Sequence, residues 1–149
     1  MTFLFLISAG LQAALILIDE FFFHWARGLP RWERLGHPVD TLSLLAPLSL
    51  AAFSTPTEIT QRLFIVLAVL SCLCVTKDEW VHRDWAPAAE QWVHSILFML
   101  HPVVLLGAYF AWTVDPVWIR IVVMPMGVFL LYQIIFWNFY ADRFFAKRP

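Results

Sequence analysis

FLFLISAGLQAALILIDEFFFHW, from Phe3 to Trp25, is the stretch that decides the fold. It is long and apolar enough to cross a bilayer as one helix, since a membrane helix needs about 20 largely apolar residues. No basic region precedes the apolar run and no A-x-A-like site follows it, so we expect a retained membrane helix and not a cleaved signal peptide. Its titratable side chains lie near its C-terminal end, and they are Asp19, Glu20 and His24.

The whole chain shares this apolar character. Hydrophobic residues make up 61% and charged residues 14% of the 149 residues, and the mean hydropathy is +0.73. A soluble domain of this length could not cover so much apolar surface. The composition therefore predicts an integral membrane protein of one domain, residues 1–149. The net charge of −1 gives no basic footprint for nucleic acid.

Turn-forming residues divide the chain into five apolar segments, which predict an all-α bundle of five transmembrane helices. Gly and Pro mark most of the breaks between segments. Pro47, Pro102 and Pro125 lie inside segments, where membrane helices tolerate a kink. The predicted helices are Phe3 to Trp25, the short Val39 to Ser54, Ile59 to Thr76, Gln91 to Thr113 and Val117 to Tyr140.

Basic residues predict the orientation, because the cytoplasmic loops of membrane proteins are enriched in Lys and Arg. With the N-terminus outside and the C-terminus inside, eight of the ten basic residues lie on the cytoplasmic side, and Arg62 and Arg120 lie on the other. All five histidines and nine of the eleven acids then fall in the cytoplasmic half. We therefore expect a protein of a bacterial-type inner membrane, with a polar site that faces the cytoplasm.

Carboxylates and imidazoles recur where the predicted helices reach this side. Glu20 and His24 are four residues apart, which places them on one face of the first helix. Glu90, His94 and His101 form one stripe on the fourth helix, and the stripe is too long to bind a single ion. Charged side chains at membrane depth are costly and usually mark a function.

The third helix ends in a similar pattern. Glu79 lies three residues before His82, the Glu-x-x-His spacing that di-metal carboxylate bundles use. The first and fourth helices depart from that spacing by one residue, so the chain resembles only the architecture of those bundles, with two helical hairpins around a polar site. The primary candidate ligands are Glu20, His24, Glu79, His82, Glu90, His94 and His101, and the secondary candidates are Asp19, His37, Asp40 and Asp78.

This ligand chemistry suits iron, zinc or manganese. The number of candidate ligands favours two metal ions, with iron the leading expectation and zinc the second. A di-iron site in this setting would oxidise a lipophilic small molecule from the bilayer, by hydroxylation, desaturation or a related oxygen-dependent step. The expected partners are thus membrane lipid and this substrate.

Two other functions remain open from the sequence. A zinc-dependent lipid hydrolase would use the same ligands and keep one acid as general base toward zinc-bound water. A non-catalytic metal-binding or anchoring subunit would need no substrate, and self-association or a partner subunit is also open. The sequence contains no GxSxG, Walker, HExxH or CxxC motif.

Overall fold

A computed structural model describes residues 2–78 and 86–145. Across these residues the chain is helical and contains no strand, which confirms the all-α prediction. A short 3-10 turn, Thr76–Asp78, follows the third helix. The long helices of the described residues are α1 (Thr2–Arg27), α2 (Arg31–Phe53), α3 (Glu58–Val75), α4 (Ala88–Val114) and α5 (Val117–Phe145).

The start of α2 differs most from the sequence prediction. The predicted helix begins at Val39, whereas α2 begins at Arg31. The expected break at residues 36–38 lies inside the helix, because packing against neighbouring helices stabilises a helix that has lost one backbone hydrogen bond to proline. The turn before α2 contains Gly28 with a φ of 75°, a conformation that glycine adopts at little cost. As a consequence, Glu33 and His37 lie one turn apart on α2.

Four helices of the described chain, all but α2, are long and apolar enough to cross a membrane. Their outward surfaces are apolar: Phe3 is 79% exposed, Ile59 79% and Met99 75%. Soluble proteins rarely expose apolar surface on this scale, so the structure indicates a membrane protein. α2 is the exception because its first half is polar, with His37 and Pro38 as well as charged residues between Arg31 and Asp40.

α1 packs chiefly against α4, whereas α2 packs against α3 and α5. This arrangement differs from the predicted hairpin of the first two helices. The α1–α4 contact includes a close approach at Gly107 of α4, where an added Cβ would lie 2.9 Å from the Phe5 Cα. Small residues let two helix backbones approach and gain van der Waals contact, and Ala9, Ala108 and Ala111 are buried here.

The two ends of the bundle have different interiors. At one end, Leu48, Trp112 and Ile119 belong to a buried apolar core. At the other end, Arg27 contacts the carboxylates of Glu33 and Glu90. The predicted gathering of titratable groups at one end is thus confirmed for the described residues, and the side of the membrane on which this end lies stays a prediction.

Candidate metal centre

A π-helical segment, Asp19–His24, interrupts α1 where its polar residues begin. In a π-helix the backbone bonds run from residue i to residue i+5, and the wider turn brings side chains five apart closer together than in an α-helix. Asp19 and His24 therefore point together, and the His24 Nε2 lies 3.1 Å from the Asp19 Oδ2. π-helical segments occur frequently at functional sites.

α4 supplies the other half of this site. The His94 Nε2 lies 3.1 Å from the Asp19 Oδ2, and the Glu90 Oε1 lies 3.5 Å from the His24 Nε2. One ligand atom from each of these four residues lies within 4.8 Å of every other, and all four residues are buried. We call Asp19, His24, Glu90 and His94 the carboxylate–histidine cluster.

Three distances in the cluster match the spacing of ligands around an ion. Ligands held at about 2.0–2.2 Å from a metal lie roughly 3.0–3.5 Å from one another. The His24 Nε2 is within this range of two carboxylates, yet it makes no aligned hydrogen bond in the described chain. Close contacts without hydrogen-bond alignment are expected for atoms that point at a shared centre.

The surroundings of Asp19 are compatible with a bound cation. Asp19 is buried, with 6% of its surface exposed, and its only charged-group contacts in the described chain are the two imidazoles of His24 and His94. Its Oδ1 has no hydrogen-bond partner there. A buried carboxylate is stable when it is paired, hydrogen-bonded or bound to a metal. The contacts of the Asp19 Oδ2 with two imidazoles meet the first two conditions, and the unpartnered Oδ1 is compatible with the third.

A second group of potential ligands adjoins the cluster. Ligand atoms of His24, Glu33 and His37 also lie within 4.8 Å of one another, and the His24 and His37 rings are 4.5 Å apart. We call these three residues the adjoining group. Since the two groups share His24, a second ion beside the first would need Glu33, His37 and a shared carboxylate as ligands.

Arg27 connects the two groups. Its Nη2 donates to the Glu33 Oε2 at 2.6 Å and to the Glu90 Oε1 at 2.8 Å. Its Nε also donates to the Glu90 Oε2 at 3.3 Å, so Arg27 grips Glu90 with two nitrogens. Such bidentate pairs are strong and directional, and this one fixes the orientation of the Glu90 carboxylate beside His24.

Glu20 contacts the ring nitrogen of His24 that does not face the cluster. Its Oε2 lies 3.4 Å from the His24 Nδ1, which leaves Nε2 as the nitrogen that faces the cluster. Its Oε1 accepts hydrogen bonds from the Tyr132 hydroxyl at 2.9 Å and from the Trp137 Nε1 at 2.6 Å. Metal-ligating histidines usually donate the N–H of their second ring nitrogen to such a carboxylate, so Glu20 is placed to orient His24.

The structure separates the sequence candidates into those that meet and those that do not. His24, Glu90 and His94 come together with the secondary candidate Asp19, and His37 lies in the adjoining group. Glu20 lies just outside the cluster. Glu79, His82 and the side chain of Asp78 fall outside the described residues.

Two candidates lie elsewhere. His101 contacts the Ser71 Oγ at 2.8 Å and the Gln12 Nε2 at 3.4 Å, two helical turns deeper than His94. Asp40 instead accepts two hydrogen bonds from the Lys77 Nζ, at 2.5 and 2.6 Å. Neither residue belongs to the cluster or the adjoining group.

Sequence reasoning missed Glu33 and the contacts of Arg27 with Glu33 and Glu90. The Glu33-x-x-x-His37 spacing carries the same signal as Glu20 and His24, but it is informative only if the helix starts before Glu33. Nothing local in the sequence links Arg27 to Glu90, which is 63 residues away.

A cavity of about 410 Å³ runs from the cluster into the apolar part of the bundle. This volume falls within the range of small-molecule sites, roughly 300–1,000 Å³. Its walls come mainly from α1, α2, α4 and α5. Asp19 and His24 lie at one end, and Leu48, Val104 and Val122 line its deeper part.

Comparisons with protein-family models, with curated proteins and with solved structures gave no match to this chain. The fold and the site thus define an all-helical protein of membrane character, with buried carboxylates and imidazoles that are able to hold a metal ion.

Proposed function

We propose that this chain is a membrane-embedded metalloenzyme that oxidises a lipophilic substrate at two metal ions, with iron favoured, in the manner of a hydroxylase or desaturase. The observation that carries the proposal is the convergence of Asp19, His24 and His94 at metal-ligand spacing, with the Asp19 Oδ1 and the His24 Nε2 buried and without an aligned hydrogen bond in the described chain. The cavity that begins at Asp19 and His24 supports a substrate site beside the metal.

The ligand types support iron. Two imidazoles and one carboxylate on one side of an ion form the arrangement of many non-haem iron oxygenases, which leaves coordination positions open. Asp19, His24 and His94 provide this set in the carboxylate–histidine cluster, and Glu90 adds a second carboxylate. The adjoining group supplies ligands for the second ion. Iron would supply the redox chemistry when bound.

The protein's own residues would hold and shield the reacting centre. Glu20 orients His24, and Arg27 fixes the orientation of Glu90. The burial of all four cluster residues keeps bulk water away, which strengthens electrostatic interactions inside the site. These contacts give a rigid centre at the end of an apolar cavity.

The shape of the cavity supports entry from the bilayer. Three of the residues that line it, Gly10, Leu17 and Ile121, also have exposed surface on the outside of α1 and α5. In a membrane these helix faces would contact lipid chains. A lipophilic substrate would thus reach the cluster without crossing water, with its chain along the apolar wall.

The proposal includes the predicted topology of five spans with the N-terminus outside and the C-terminus inside. In this topology α2 also crosses the membrane, in addition to the four more apolar helices, and its charged first half lies at the cytoplasmic face beside the cluster. A green fluorescent protein fused after the C-terminus would be fluorescent if this end is cytoplasmic. A dark fusion with full-length expression would place the cluster on the opposite side.

Elemental analysis of the purified protein tests the metal centre directly. We expect one or two iron atoms per chain, and a change in optical absorption when the reduced protein meets oxygen. Protein that binds neither iron nor zinc after reconstitution would end the proposal. Metal content should be measured on protein without a polyhistidine tag, since the tag itself binds metal.

Zinc in place of iron would favour the alternative, a zinc-dependent lipid hydrolase. The observation behind this alternative is Glu90, a carboxylate at the cluster that Arg27 already orients. In that position it is suited to act as general base toward a zinc-bound water. A lipid-hydrolysis assay that responds to chelation of zinc would distinguish this enzyme from a non-catalytic metal-binding subunit.

A further inference from the structure

A chain of neutral polar side chains crosses the apolar part of the bundle, away from the cluster. Gln12 of α1, His101 of α4, Ser71 of α3 and Ser43 of α2 contact one another in that order. We call these four residues the Gln12–His101 relay. Each of the four helices contributes one side chain, and Gln12, Ser71 and His101 are buried.

The last contact of the relay assigns its donors and acceptors. The Ser43 Oγ donates to the Asp40 carbonyl at 2.8 Å, so its oxygen accepts from the Ser71 Oγ, 3.0 Å away. Ser71 then accepts from the His101 Nε2 at 2.8 Å. A neutral imidazole with its proton on Nε2 has an unprotonated Nδ1. The Gln12 amide nitrogen donates to this Nδ1 at 3.4 Å.

This assignment leaves the second atom of the Gln12 amide, the carbonyl oxygen Oε1, as a hydrogen-bond acceptor. The Gln12 Oε1 is buried and has no hydrogen-bond partner in the described chain. Gln12 and His101 both line the cavity that begins at the cluster. A buried acceptor without a partner is costly, so a ligand that donates a hydrogen bond here would be favoured.

We propose that the Gln12 Oε1 recognises a hydrogen-bond donor, a hydroxyl or N–H group, on the lipophilic molecule that occupies the cavity. Gln12 lies seven residues before Asp19 on α1, and His101 lies seven residues after His94 on α4. At 1.5 Å per residue the relay is about 10 Å from the cluster. The substrate would therefore carry its donor group about 10 Å from the atom that reacts.

This inference deepens the proposed function by naming a feature of its substrate, but its test needs no metal. The test measures binding of radiolabelled hexadecan-1-ol and of its methyl ether to chelator-treated protein in lipid nanodiscs, with uptake by empty nanodiscs subtracted. The alcohol donates a hydrogen bond and the ether does not. We expect the alcohol to bind about 10-fold tighter, the ratio that one net hydrogen bond gives.

Substitution of Gln12 should remove this preference, and both Gln12→Leu and Gln12→Met serve if one of them folds poorly. Gln133→Leu is the matched control, because Gln133 is buried in the same cavity but its Oε1 already accepts from Thr41 at 2.7 Å. The preference should persist in Gln133→Leu.

Three results would overturn the inference: equal binding of alcohol and ether to the unmodified protein, binding of neither, or a preference that survives both Gln12 substitutions. A protein that shows the preference but never binds metal would retain this inference and lose the proposed function. A protein that binds metal but shows no preference for the alcohol would retain the proposed function and lose this inference.

Discussion

α1 and α4 meet twice through polar side chains, and the two meetings differ in the groups around histidine. At the carboxylate–histidine cluster, His94 lies 3.1 Å from the Asp19 carboxylate. Seven residues deeper, His101 lies 2.8 Å from the Ser71 hydroxyl and 3.4 Å from the Gln12 amide. The same residue type on the same helix therefore has charged neighbours in one place and neutral neighbours in the other.

The difference shows that the side chains supplied by neighbouring helices determine what a buried histidine can bind. Imidazoles beside a buried carboxylate are suited to hold a cation, because a divalent ion offsets the buried negative charge. An imidazole between a hydroxyl and an amide satisfies its hydrogen bonds without a cation. The cluster is thus suited to metal chemistry and the relay to recognition of a neutral polar group.

The largest expected effect is on metal content. His24→Ala removes the residue that the cluster and the adjoining group share, so we expect bound metal to fall to background. His101→Asn keeps hydrogen-bonding capacity in the relay and should leave metal content unchanged. Both are measured by elemental analysis of purified protein after reconstitution with iron or zinc.

Equal loss of metal in the two variants would contradict the distinction between the cluster and the relay, since it would make His101 a ligand in spite of its distance from the cluster. Circular dichroism of each variant checks that the helical bundle has formed, so a loss of metal is not a consequence of misfolding.

The next largest effect concerns Arg27. Arg27→Met removes the cation that grips Glu90 and Glu33. Breaking a buried ion pair costs 3–5 kcal/mol, and about 3 kcal/mol is expected here because the Arg27 side chain is 22% exposed. We expect this loss in thermal or denaturant unfolding of chelator-treated protein, and a smaller loss with metal bound, because the ion replaces part of the lost positive charge.

Arg62→Met is the control for Arg27. Arg62 also pairs with a carboxylate, Glu58, but both side chains are more than three-quarters exposed, and exposed pairs contribute little to stability. If metal fails to stabilise Arg27→Met more than it stabilises the unmodified protein, Glu90 is not a ligand of the ion.

The smallest of these effects concerns Glu20. Glu20→Gln keeps an oxygen that accepts from Tyr132 and Trp137, but it removes the charge beside the His24 Nδ1. Loss of such an outer partner typically weakens metal binding about 10–100-fold, which competition with a chelator of known affinity would measure. Asp142→Asn, an exposed carboxylate at the same end of the bundle, should not change the affinity. An unchanged affinity in Glu20→Gln would show that Glu20 does not orient His24.

Much of the architecture could be predicted from the sequence. Four of the five predicted segments correspond to helices that are long and apolar enough to cross a membrane, because hydropathy over about 20 residues is a strong signal. The gathering of titratable groups at one end also follows from the sequence, since consecutive helices run in opposite directions and carry these groups at alternating ends.

The choice of ligands within each helix could not be predicted. An ideal α-helix pairs Glu20 with His24, and this contact is kept, but the π-helical segment also brings Asp19 to His24, while the other Glu20 oxygen accepts from Tyr132 and Trp137. A shift of one residue in helical register depends on contacts with other helices, and hydropathy is insensitive to it.

The sequence by itself determined that this chain is a set of apolar helices with carboxylates and imidazoles at one end, because burial and helical spacing act locally along the chain. Only the tertiary structure decided which of these groups meet. The close approach at Gly107 aligns α1 with α4, and that alignment brings Asp19 to His94 and Gln12 to His101. The partners lie 75 and 89 residues apart in the chain, a separation over which no sequence pattern sets a distance.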